Sequence, residues 1–420
     1  MKFEQFTSLA LLAVGAASKA MTGVNIGGWM VLEPWITPSL FYRWLGKTRS
    51  EGIAIDSWTF CEQLGPELGN QVMRAHWDAW MTEDHVKALA DRDVEIVRLP
   101  IGDWTTMHYG PYIGCMDGAA EKIEWFLDTC AKYNIKVLLD VHALKDSQNG
   151  FDNSGKAADI VWSDETHFNH WDHQNGHWMG HYNFETQKYD SINEANIQWG
   201  VDNVRNLMLK WGHHPAVYAL EPANEPWDKS DLPVLKDFYR RVRATIREIN
   251  PAVKFVFHDS FRPYASVWND LFADDDIENT VLDNHTYLAW AQPRNDDVTS
   301  YCGTFANTLK SEEFSKIKYE TWVGEWSLAT DVCAWWLGGF NESYNFDYQF
   351  PCEWVDCPYS YLPKELAVDF DRTVPLMGPH GSSDRALIRN GQCARDSTFF
   401  SKDEVQVLAD CMLEMFNETV

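Results

Sequence analysis

The sequence has no stretch long and apolar enough to span a bilayer; its one sustained apolar run near the start, Phe6–Ala17, is too short. It has no Gly-rich phosphate loop after its first strand candidate and no G-x-S-x-G elbow, so nucleotide and esterase chemistries have no anchor. It is poor in basic residues: 35 Lys and Arg stand against 62 Asp and Glu, a formal net charge of −27. A surface of that sign repels phosphate backbones and anionic headgroups, which argues against nucleic-acid and membrane partners. It also simply keeps a protein soluble. No Cys or His pair has metal-ligand spacing, and the histidines between His167 and His181 read as loop composition. No metal and no cofactor is therefore expected. Internal repeats and low-complexity linkers are also missing.

What the chain has in excess is tryptophan, 21 in 420 residues. Flat apolar rings with a polar N–H fill a large core and also stack on sugars. Phe6–Ala17 follows Lys2 and leads into small residues. That pattern predicts a signal peptide over residues 1–20, cleaved after Ser18 or Ala20, and a secreted protein. The nine cysteines suit disulfides in that setting, although their odd number leaves one without a partner in the chain. Of the three N-x-S/T sites, Asn341 lies in a polar loop, whereas Asn284 sits against a strand end.

Residues 21–420 read as one alternating series. Strand candidates are Val24–Trp29, Val94–Ile101, Ile135–His142, Ala216–Asn224, Val253–Asp259, Thr280–His285 and Trp322–Trp326. Helical patterns fall at Thr82–Asp91, Gly118–Tyr133, Ile192–Trp211, Leu232–Ile249 and Ser401–Asn417, the last opening on the capping box Ser401/Glu404. Strands alternating with helices predict a parallel sheet, and seven of them favour a (β/α)8 barrel. Two long irregular segments, Lys145–Asp190 and the Cys/Pro/Gly-rich insertion 333–397, belong at the C-terminal rim, where barrel active sites lie. An eighth strand is not legible before Val420.

Two of these strands end in glutamate. Glu225 closes AVYALEPANEP, where Pro226 stops the strand, and Glu325 closes TWVGEWS. Retaining glycosidic cleavage needs two carboxyl groups about 5 Å apart, and barrel strand ends far apart in sequence converge across the mouth. Either glutamate alone is equally a surface residue at a strand end. Arg98, on the second strand, needs a carboxylate partner: a structural ion pair, or a nucleophile to be kept ionised. His142 ends the third strand, and His285 and Tyr287 follow the sixth. A metal site from His142, His258 and His285 has no supporting local spacing.

At this point the residues resemble glycoside hydrolase family 5, and within it the fungal-type exo-β-1,3-glucanases. The landmarks are GVNIGGWMVLEPWITPSLF, IVRLPIGDW, LLDVHALKDSQNGFDNSG, EPANEPW, HDSF, NHTYLAW and VGEWSLATDVC, in family order. The resemblance implies a (β/α)8 barrel that releases glucose from the non-reducing ends of β-1,3-glucan by double displacement. It implies Glu225 as acid/base, Asn224 on the sugar 2-hydroxyl and Glu325 as nucleophile, with Arg98, His142, His285 and Tyr287 supporting them. Glu33, Asp152 and Asn153 match positions that hold the terminal glucose. Phe151 and Trp290 match two aromatics that clamp the next sugar, Trp290 where Phe is usual. A monomer in the extracellular space or cell wall is implied. Family members continue into an eighth, Trp-bearing strand, so the chain reads as C-terminally incomplete, and the resemblance implies that the partner of Cys302 lies in that missing tail. Other family 5 activities, namely endo-β-1,4-glucanase, β-1,6-glucanase and β-mannanase, stay open. So do transglucosylation and an inactive glucan-binding protein.

Overall fold

The computed structural model describes residues 21–44, 47–158, 161–162, 165, 168–169, 176–289, 297–330, 359–368 and 400–419. The signal-peptide segment, Trp290, Asn341 and most of the 333–397 insertion lie outside the described residues.

Seven parallel strands form one sheet in chain order: Gly23–Asn25, Ile96–Gly102, Lys136–Ala143, Val217–Glu221, Lys254–His258, Thr280–Thr286 and Glu320–Trp326. Each pairs with the next, in parallel. Central strands are buried on both faces, which is why Ile96–Gly102 is buried at every position and reads as a continuous apolar run. Ile96, Leu138, Ala219, Val256 and Val281, one from each of five consecutive strands, pack into an inner cluster. This is the filled interior of a (β/α)8-type barrel.

Helices cover the outside. Leu232–Ile249 is the clearest: Asp231 accepts the Val234 amide at 3.2 Å, and Leu235, Phe238, Tyr239, Val242 and Ile246 make one buried face at helical spacing. Glu83–Ala90, Ala119–Lys132, Glu194–Trp211 and Lys402–Thr419 match the expected helices within a few residues. Ser57–Trp80 is two helices end to end, hidden in the sequence by Gly65–Pro66: Gly65, at φ 67° and ψ 175°, breaks the first, and Pro66 opens the second. A disulfide, Cys61–Cys115, ties the first of them to the segment before Ala119.

The irregular reading of Lys145–Asp190 needs correction at its end. Gly180–Asn183 and Lys188–Ile192 pair as an antiparallel hairpin. The expectation for Cys302 is also corrected. It is bonded to Cys411, because helix Val298–Leu309 packs against helix Lys402–Thr419 through Tyr301, Leu309, Leu408 and Met412. Cys130 is buried and free. Among the described residues the sheet has seven strands, as read. Its first and last strands do not share a ladder, but the Asn25 carboxamide reaches across and donates to the Gly324 carbonyl at 2.8 Å. The barrel is thus nearly closed. No described helix is long and apolar enough to cross a membrane.

Candidate active site

The C-terminal ends of the strands bring Arg98, His142, Asn224, Glu225, His285, Tyr287 and Glu325 together. Arg98 is the hub, 4% exposed. Its guanidinium donates to Glu325 Oε1 at 2.6 Å, to Asn224 Oδ1 at 2.7 Å and to Glu221 Oε2 at 2.9 Å, and lies 3.2 Å from Asp140 Oδ2. Tyr287 donates its hydroxyl to the other oxygen of Glu325 at 2.8 Å. Burial alone would raise the Glu325 carboxyl, but His285 and Arg98, with smaller help from His142 and Tyr287, outweigh it and hold the group at about 2. Glu325 is an anion fixed at both oxygens.

Glu225 stands on a turn rather than on the strand, whose ladder stops at Glu221. Its φ is +43°, a region that non-glycine residues seldom occupy, and such strain persists only where neighbours impose it. The neighbours here are Gln148 and Asn149. Gln148 Nε2 donates to the carbonyls of His142 and Asn224, both at 2.8 Å, and Asn149 Nδ2 donates to the carbonyl of Glu225 at 3.0 Å. The carboxylate of Glu225 accepts from His285 Nδ1 at 2.7 Å.

That same His285 nitrogen lies 3.5 Å from Glu325 Oε2. One nitrogen touching both groups keeps Glu225 Oε1 and Glu325 Oε2 within about 6.2 Å of each other, below the ~6.5–9.5 Å of an inverting pair and compatible with the ~5–5.5 Å of a retaining one. Burial works against charge on His285, but Glu325, Asp283 and Glu225 together push its pKa well above the ordinary value. His142, likewise opposed by burial, is lifted to about 9 by Asp140, whose Oδ2 is 2.6 Å from His142 Nδ1.

Asp140, Glu221 and Asp283 were missed in the sequence. A signal existed: Asp140/His142 and Asp283/His285 are both Asp-x-His, and residues two apart on a strand share a face. Metal ligation is possible on distance, since the ligand atoms of Glu225, His258 and His285 lie within 4.8 Å of one another, as do those of Glu221, Asp283 and His285. Both sets share His285, whose Nδ1 is hydrogen-bonded to Glu225 Oε1.

Glu33, Asp152 and Asn153 line the approach. Glu33 is 5% exposed and accepts the Gly28 amide at 3.2 Å; burial, reinforced by Glu325 and only partly offset by His142, raises it to about 7. Burial and Asp56 raise Asp152 to about 7 as well. Asn153 Oδ1 is buried without a hydrogen-bond partner among the described residues. Phe151 is half-buried beside them, its amide donating to Asn149 Oδ1 at 2.8 Å. A further aromatic went unread: Phe261, in a left-handed turn at φ 57°, is exposed with its ring against His258.

The model of the cellulase family, glycosyl hydrolase family 5, matches residues 61–335. The chain belongs to glycosyl hydrolase family 5. It is therefore a glycoside hydrolase, and this network is its candidate centre. Similar family members include a glucan 1,3-beta-glucosidase of Pichia angusta, 29% identical over 89% of this chain and 85% of the relative. One of Schwanniomyces occidentalis is 30% identical over 78% and 71%. The fold matches a rutinosidase from Aspergillus niger with a TM-score of 0.55 at 21% identity, covering 75% of this chain and 82% of that one.

Proposed function

We propose that this family 5 enzyme is a secreted β-1,3-glucan exo-glucosidase that works with retention, Glu225 as acid/base and Glu325 as nucleophile. The observation that carries the mechanism is the division of labour around His285. Glu325 is clamped by Arg98 and Tyr287 and kept ionised, as an attacking carboxylate must be. Among the described residues, the carboxylate of Glu225 meets the His285 imidazole through Oε1, an arrangement that suits proton exchange with the glycosidic oxygen. In the first step Glu225 protonates the leaving oxygen while Glu325 bonds to the anomeric carbon. In the second, Glu225 takes a proton from water, which displaces Glu325.

The substrate reading rests on the names of the relatives and on the acidic, aromatic-lined approach. Asn224, held by Arg98, suits the sugar 2-hydroxyl. Buried Glu33 and half-buried Asp152 and Asn153 suit the hydroxyls of a terminal glucose, and Phe151 suits the face of the next unit. Trp290, outside the described residues, completes that clamp in the proposal. The expected partner is a neutral β-glucan chain, met by a monomer outside the cell or in its wall.

Two measurements test this. On laminarin, glucose should be the sole early product; random shortening of carboxymethylcellulose would overturn the assignment to exo-1,3 cleavage. In E325A, turnover should fall by several orders of magnitude, and azide should restore it with a glycosyl azide of inverted configuration. Wild-type activity in E325A would exclude this nucleophile.

A further inference from the structure

The sixth and seventh sheet strands pair without a break from Val281 and Glu320 up to Asn284 and Val323. The next pair is His285 with Glu325, so Gly324 is left over and the seventh strand carries a bulge there. The slip of one residue decides where Glu325 points. Side chains alternate along a strand, and residues paired across a sheet share a face. Trp322 packs on the inner cluster of the barrel, so strict alternation would turn Gly324 inward and Glu325 outward. The bulge moves Glu325 onto the face of His285, where Arg98 and Tyr287 meet it.

A bulge leaves backbone groups to be satisfied, and here side chains meet both. The Gly324 amide donates to Asp283 Oδ1 at 2.6 Å, and its carbonyl accepts Asn25 Nδ2 at 2.8 Å. Asp283 is fully buried. It lies two residues before His285 on the same strand and so on the same face, with its Oδ2 3.4 Å from His285 Nε2. The space beside Gly324 is filled by this side chain: a Cβ built on Gly324 would fall on the carboxyl group of Asp283. Glycine at 324 and the acid at 283 therefore fit only each other.

We propose that Asp283 is a positioning residue for the reaction: by holding the bulged Gly324, it turns Glu325 toward the anomeric carbon. The inference rests on the reading of Glu325 as nucleophile. Asp283 touches no substrate; it acts through the backbone one residue before the carboxylate that attacks.

The test uses the full-length protein, 2,4-dinitrophenyl β-glucoside and added azide, with the configuration of the glucosyl azide read by NMR. In the wild type, azide captures the glucosyl-enzyme and gives the retained product. In D283A, kcat should fall about a hundredfold with KM little changed, the cost of a group out of line by about 1 Å. Azide should then bond to the anomeric carbon directly as dinitrophenolate leaves, giving the inverted product. A general loosening of the barrel would keep the retained product alone, and that result overturns the proposal, as does unchanged turnover. G324A alters no polar side chain and should reproduce both effects; it decides the matter on the same readings if D283A does not fold. In D283A/G324A the added methyl has room, so kcat should match that of D283A within about twofold, whereas losses that multiply would overturn the proposal. D283N keeps an oxygen for the Gly324 amide and should recover most of the loss; no recovery counts against this role. E325A is measured alongside: wild-type turnover there would overturn the nucleophile reading itself, whatever D283A does.

Discussion

Two buried glutamates of one site are pushed in opposite directions, Glu325 down and Glu33 up, and the difference is one of neighbours. Glu325 has two cations and a phenol against it, whereas the nearest ionised group helping Glu33 is His142, and Glu325 itself repels it. The consequence is a specific pH dependence. With Glu33 raised from 4.5 to about 7 in the folded protein, the native state holds a proton that the unfolded chain releases earlier. Stability is then lost as pH rises from about 4.5 to about 7. E33Q carries no such proton, so it should gain on the wild type across that window, by up to about 3 kcal/mol above it. Urea unfolding at pH 5 and pH 8 measures this; equal differences at the two pH values would show that Glu33 titrates normally.

At the scale of elements, the turn that carries Glu225 is held by a loop it does not belong to. Gln148 bridges two carbonyls, one at the end of the third strand and one beside Glu225. Q148A leaves both buried carbonyls without that donor, at about 1–3 kcal/mol each. It should lower kcat by about tenfold to a hundredfold, with the larger loss in kcat rather than KM, because Glu225, the acid in the proposed mechanism, is displaced and not the sugar contacts. Steady-state kinetics on laminarin would read this directly. The strands that carry the site were legible because buried parallel strands are continuous apolar runs with abrupt polar ends, as in LLDVH and YALEPANEP. The helices of Ser57–Trp80 were not, since Gly65–Pro66 breaks both the local signal and the helix itself, and the two parts are held on the core through Phe60, Val72 and Trp77. The hairpin after Gly180 was not legible either. Its register is set by Asn183 and by packing on Trp227, and neither leaves a clean alternation. Of the site, the residues at strand ends could be read singly; what joins them, Asp140, Glu221 and Asp283 around Arg98 and His285, is a matter of which faces point inward.

At the scale of the molecule, the contact between Asn25 and Gly324 joins positions 299 residues apart. Asn25 is also hydrogen-bonded to Arg98 at 3.3 Å, and Gly324 precedes Glu325. Meeting of the two sheet edges and assembly of the reaction centre are therefore one event. It also closes one of the longest loops among the described residues, and contacts of that range form late. On refolding from denaturant, tryptophan burial should be largely complete before hydrolytic activity begins to return, a lag seen by following fluorescence and product release in the same samples. Simultaneous recovery would show that the edges meet early. On that order of events, turnover reports a late step of folding: a chain that has formed its strands and helices, but has not yet brought the two edges of the sheet together, is chemically silent.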